Sequence, residues 1–130
     1  MSEKVFFTNR KEQRLVGLLD HVSFEKIVVA LHGLGSSKYF DGKRDVISKA
    51  LTSNGYSFFS FDFAGCGESE GLFRNTTVKS RVQDFKAALK MLKSKGYKSF
   101  AVIGASMGAA VALKGWSKRI KVLVLVVPLT

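Results

Sequence analysis

Hydrophobic and polar positions alternate along this chain in blocks whose period changes at about Lys26. Before that point, Lys4–Thr8 and Arg14–Leu19 mix apolar and polar residues around a polar turn, which predicts two strands of a hairpin. Lys26–Leu31 is an almost continuous apolar run, as expected of a strand buried on both faces. Asp41–Ser53 carries Val46, Ile47, Ala50 and Leu51 at helical spacing, with Asn54-Gly55 as its stop. Tyr56–Phe61 is an aromatic strand, predicted to lie in the sheet core. Thr77–Lys95 places Val78, Val82, Phe85, Leu89 and Leu92 on one stripe and closes at Gly96. Lys98–Ile103 predicts a strand, Ser106–Lys114 a helix and Lys121–Val127 a last strand.

Strand–helix alternation after Lys26 predicts an α/β fold, with a mostly parallel sheet and helices on both faces. No repeat, linker or low-complexity tract interrupts the chain, so residues 1–130 are expected to form a single domain. In such sheets functional groups collect at the carboxyl ends of the strands. Three conspicuous loops fall there: His32-Gly33-Leu34-Gly35, Asp62 to Ser69, and Gly104-Ala105-Ser106-Met107-Gly108.

The last of these, G-x-S-x-G between a strand and a helix, carries the chemistry. Its small residues permit a turn so sharp that Ser106 is left at the tip with its hydroxyl exposed, as a nucleophile requires.

With these three motifs in order, the chain resembles the N-terminal half of an α/β-hydrolase, over about Val5 to Thr130. Within that superfamily it resembles carboxylesterases of the cinnamoyl (feruloyl) esterase kind and monoacylglycerol-lipase-like serine hydrolases, through Asp62 to Thr77 with its Gly-Glu-Ser-Glu-Gly. The resemblance implies Ser106 as nucleophile of an acyl transfer on a small carboxylic ester. It implies backbone N–H groups of Leu34 and Met107 as the oxyanion hole. His32, Gly33, Asp62, Gly104 and Gly108 are implied as supports, with His32 holding the oxyanion loop and Asp62 bracing its own. Glu68 and Ser69 are expected to bond backbone in that loop, and His21 to lie at the surface. No metal or organic cofactor is implied.

The chain departs from that pattern in one respect. The superfamily places its acid and histidine after the serine, yet no Asp, Glu or His follows Ser106. The expectation is a fold ending after its sixth strand, without a lid. The Asp–His pair would then come from a second chain or segment that pairs with Val122–Val127, a strand otherwise left as an apolar edge. A homodimerising or non-catalytic binding module and an inactive fragment are the alternatives.

Composition adds limits. A hydrophobic fraction of 46% excludes a disordered chain. One cysteine, Cys66, permits no internal disulfide and gives a cytoplasmic expectation. It is expected to be an inert thiol with nothing cationic beside it. No apolar run approaches the ~20 residues of a membrane span. The net charge of +11 raises nucleic acid as a partner. That reading is disfavoured, because Lys79, Arg81, Lys86, Lys90, Lys93 and Lys95 fall mostly off the apolar stripe, as on a solvated helix face.

Overall fold

A computed structural model describes residues 2–118 and 120–126. Six strands form one sheet in the order β1-β2-β4-β3-β5-β6. β1 (Glu3–Thr8) and β2 (Arg14–Asp20) are antiparallel to each other, and β2 is antiparallel to β4 (Ser57–Phe61). β3 (Lys26–Leu31), β4, β5 (Ser99–Ala105) and β6 (Ile120–Val126) run parallel. The predicted mostly parallel α/β sheet is therefore the observed one. Val127 and Pro128-Leu129-Thr130, which the sequence reading assigned to the end of the last strand and beyond, lie outside the described residues.

Helices α2 (Val78–Ser94) and α3 (Met107–Lys114) pack against each other on one face. Beneath them lies the main core, built from alternate sheet positions such as Ile27, Val29, Leu31, Phe59, Phe61, Phe100 and Val102. α1 (Arg44–Thr52) covers the opposite face with a smaller cluster around Val28, Ala30 and Phe58. In β5 the alternation is plain: Phe100, Val102 and Gly104 are buried, and the intervening residues are half-buried.

Local chemistry sets the helix ends. Thr77 caps α2: its side chain accepts from the Ser80 N–H at 3.0 Å, and Ser80 Oγ accepts from the Thr77 N–H at 2.8 Å. α1 starts three residues later than the periodicity predicts. Phe40 and Asp41 adopt φ of 51° and 55°, which breaks the helix and leaves a 3₁₀ turn over Phe40–Gly42. Its buried face is rotated from the predicted one: Ile47 and Leu51 pack against the sheet as expected, but Val46 and Ala50 do not. Val46 is 74% exposed, and Arg44 and Ser48 are buried instead.

That rotation has an electrostatic cause. Arg44 reaches across β4 and β2, donating from Nε to Ser60 Oγ at 2.7 Å, from Nη1 to Asp20 at 2.8 Å and from Nη2 to the Leu18 carbonyl at 2.8 Å. Ser48 also donates to Asp20. A guanidinium with a partner at each nitrogen is an acceptable core group, whereas an unpaired one is not.

Candidate active site

Because β3, β4 and β5 are parallel, the loops that follow them meet at one edge of the sheet. Ser106 follows β5 as the N-cap of α3, at φ 55°, ψ −119°, a conformation that few residues other than glycine adopt, and it is exposed. Met107 begins α3 directly after it. The first N–H groups of a helix have no intrahelical acceptor, so the α3 N-terminus directs free donors and a positive dipole end at the serine.

The surrounding glycines are demanded by close approach. A Cβ on Gly104 would lie 2.6 Å from the Gly108 carbonyl oxygen and 2.8 Å from Ala109 Cα. One on Gly108 would collide with the Leu31 carbonyl group, where α3 crosses β3. A Cβ on Gly33 would sit 3.0 Å from Ser106 Cβ and 3.5 Å from Ser106 Oγ. The backbone before Leu34 therefore abuts the serine, and Leu34 itself is exposed.

His32 is fully buried. Its Nδ1 lies 2.8 Å from the Gly33 carbonyl, which can only accept, so Nδ1 donates. Its Nε2 accepts from the Phe63 N–H at 3.3 Å. Both nitrogens of a neutral imidazole are thus engaged in holding the loops after β3 and β4. Burial pushes its pKa down, and the Arg81 cation adds to that, against the opposing bond to Gly33. His32 has no nitrogen free to take a proton from Ser106.

Asp62 ties the same two loops together. Its Oδ1 accepts from the Lys38 N–H at 2.8 Å, and its Oδ2 accepts from Lys38 Nζ at 2.6 Å and from the Glu68 N–H at 3.0 Å. Lys38 is only 1% exposed, and its ammonium also bonds Glu68 Oε1 at 2.8 Å. Burial alone would depress the Lys38 pKa, but the two carboxylates outweigh it and the net shift is upward. Lys38, and to a lesser extent Lys4, hold the Glu68 carboxyl down at about 2.

Three expectations about side chains are corrected. Glu68 does not bond backbone through its carboxylate; it reaches Lys38 and Lys4, because two ammonium groups are better partners than one N–H. Ser69 does bond backbone, donating to the Asp62 carbonyl at 2.6 Å and accepting from the Val16 N–H at 2.9 Å. Arg81 is not on a solvated face. It is 0% exposed, stacked over the Phe63 ring at 4.7 Å, with Nη2 3.5 Å from Cys66 Sγ. Cys66 thus has a cation beside it after all, yet burial dominates and pushes its thiol up, away from reactivity. His21 is at the surface as expected, with Nδ1 2.7 Å from the Tyr97 hydroxyl.

A groove of about 440 Å³ opens beside the serine. Leu34, Phe40, Ile47 and Ile103 supply its apolar wall, and Gly33 and Ser106 belong to its lining. Sequence reasoning missed this groove and Lys38. Lys38 sits between Ser37 and Tyr39 in a polar loop, and nothing local marks it as buried. Among the described residues no cluster of His, Cys, Asp and Glu could hold a metal ion, and no helix is long and apolar enough to cross a membrane.

The sequence profile of the hydrolase family described as serine aminopeptidase, S33, matches residues 23–130. No curated protein matches the chain. Among solved structures, the esterase Pf2001 of Pyrococcus furiosus is 33% identical, with a TM-score of 0.82 over 92% of this chain and 49% of its own. The α/β hydrolase GrgF of Penicillium sp. sh18 superposes with a TM-score of 0.86 at 22% identity, over 96% of this chain and 45% of its own. An esterase of Exiguobacterium antarcticum gives 0.78 at 20% identity, over 95% and 44%. The last two establish fold alone. The chain spans about half the length of the solved structures it matches.

Proposed function

Since the chain belongs to the serine aminopeptidase S33 family of the α/β-hydrolase superfamily, and is on that ground a hydrolase by descent, we propose that it carries the nucleophile half of an acyl-transfer site. Ser106 Oγ attacks the carbonyl carbon of a carboxylic ester. The carbonyl oxygen takes up the negative charge and receives the N–H groups of Leu34 and Met107. Each such donor is worth roughly 3 kcal/mol of barrier. The alcohol leaves, and water then releases the acid from the acyl-serine.

The observation that carries this reading is Ser106 itself: exposed, at φ 55°, at the mouth of α3 and beside the Gly33 backbone. The apolar groove next to it suits the hydrocarbon part of an acyl group. The likeness to the Pyrococcus furiosus esterase favours an ester as substrate.

A hydroxyl needs a base to become a nucleophile at neutral pH. Both nitrogens of His32 are occupied, and no Asp, Glu or His follows Ser106. The acid and base therefore come from polypeptide outside these 130 residues, whether continuous with them or separate. β6 is the last strand of the sheet order and pairs only with β5 among the described residues, so its open edge is where such a segment would add a strand.

Hydrolysis of 4-nitrophenyl butyrate by the chain, alone and mixed with the sequence encoded downstream of Thr130, tests this reading. Alone, the chain should retain at most a rate of roughly 10³–10⁴ over water, the level left by an oxyanion hole without its triad. The mixture should exceed that by orders of magnitude. Activity that survives Ser106→Ala would overturn the assignment.

A further inference from the structure

The excess positive charge of this chain is concentrated in one part of it. The first 84 residues hold twelve basic and ten acidic side chains, a net of +2. The last 46 hold nine basic residues and no acidic one. The fold gathers four of those nine around one groove, whose lining shares no residue with the groove beside Ser106.

This groove, about 580 Å³, runs between the C-terminal half of α2 and the segment joining α3 to β6. Its apolar part comes from Leu89, Phe100, Ile120 and the indole of Trp116. Its rim carries Lys86, Lys90, Lys93 and Lys114, all exposed. Among the described residues none of these four ammonium groups pairs with a carboxylate. Trp116 is 54% exposed, and Leu113 beside it is exposed too. A large indole half in water over an apolar floor is the surface signature of a binding site rather than of a solvated face.

We propose that this groove docks an acidic amphipathic helix of a partner polypeptide. Lys86, Lys90 and Lys93 follow an i, i+4, i+7 spacing and extend along roughly 10 Å of α2. A helix lying alongside α2 repeats that spacing, so carboxylates at i, i+4 and i+7 on the partner meet the three lysines in register. Apolar residues on its adjacent stripe cover Trp116, Leu89 and Ile120. Nucleic acid fits less well: there is one exposed ring rather than a stacking series, and the lysines frame an apolar floor instead of a charged track. The inference is independent of the acyl-transfer reading and stands if Ser106 proves inactive.

Trp116 is the only tryptophan, so its fluorescence reports directly on the groove. The probe is a synthetic 16-residue Leu/Glu helix with Glu at i, i+4 and i+7, and its control has Gln at those positions. The Glu peptide should shift Trp116 emission to the blue and bind at least roughly tenfold more tightly than the Gln peptide at low salt, with the difference shrinking at high salt. The triple variant Lys86→Glu/Lys90→Glu/Lys93→Glu should remove the tenfold preference with an unchanged thermal melt, since all three residues are exposed. No blue shift, equal binding of the two peptides, or tighter binding to phosphatidylserine vesicles or single-stranded DNA than to the Glu peptide would overturn the proposal.

Discussion

Replacing Asp62 by alanine removes the acceptor for the Lys38 N–H, the Lys38 ammonium and the Glu68 N–H at once. All this happens where Asp62 and Lys38 are essentially inaccessible to water. Breaking one side of a buried ion pair costs about 3–5 kcal/mol, because the remaining charge has neither partner nor solvent. The lower figure applies here, since Glu68 Oε1 still accepts from Lys38 at 2.8 Å. A loss of about 3 kcal/mol, with an m-value of about 1.5 kcal/mol/M, moves the urea midpoint down by about 2 M. Urea unfolding followed by circular dichroism measures it. The double variant Lys38→Met/Asp62→Leu should recover part of the loss, because no buried charge is left unpaired although the Lys38 and Glu68 N–H groups still lack their acceptor. A single variant that loses less than about 1 kcal/mol, or a double variant no better than the single, would refute the bracing role of this pair. The pH dependence has a definite sign. The Glu68 carboxyl lies at about 2 instead of its ordinary 4.5, so its share of stability is present above 4.5 and fades as pH falls towards 2. The raised Lys38 pKa gives a share that is present below 10.5 and is lost as pH rises beyond the folded value.

Other expectations follow from single contacts. His32 has a depressed pKa, so the unfolded chain binds its proton first; stability should be full above 6.5 and decline as pH falls below it, and His32→Gln should flatten that part of a melting-temperature profile. Gly108→Ala drives a methyl group into the Leu31 carbonyl and should cost about 2 kcal/mol or more by thermal melt, whereas Gly35→Ala, with open space around its Cβ, should cost only the strain of a positive φ, about 1 kcal/mol. Arg81→Met should leave stability unchanged or raise it by about 1–3 kcal/mol, because Nε and Nη1 of this buried guanidinium have no partner among the described residues; a loss beyond about 2 kcal/mol would show that its cation over Phe63 outweighs desolvation.

The legible part of this protein was the part that local patterns encode. Apolar runs, alternating or continuous, and stripes of period 3.6 located the six strands and the three α-helices of the described residues, because burial of a face is what forms such elements. The serine turn was legible because its glycines answer to steric contacts within the turn and with the strand beside it. The buried face of α1 was only half legible: Ile47 and Leu51 pack inward as predicted, whereas Val46 and Ala50, which satisfy the same period, are exposed. Arg44 and Ser48 displace them by finding Asp20, more than twenty residues away, and no local pattern carries that pairing.

The sequence by itself determined the sheet-and-helix order, the exposed serine between a strand and a helix, and the lack of any acid or histidine after it. Tertiary structure alone decided which charges enter the interior. Lys38 and Arg81 look alike in sequence, two cations in polar surroundings. One is buried on Asp62, 24 positions along the chain, and the other on the face of Phe63. Placing a charge out of water depends on partners that only the folded chain brings within hydrogen-bonding or stacking distance. His32 shows the same division: its place before Gly33 is written in the sequence, but its two hydrogen bonds, which remove it as a base, exist only once the loops after β3 and β4 meet.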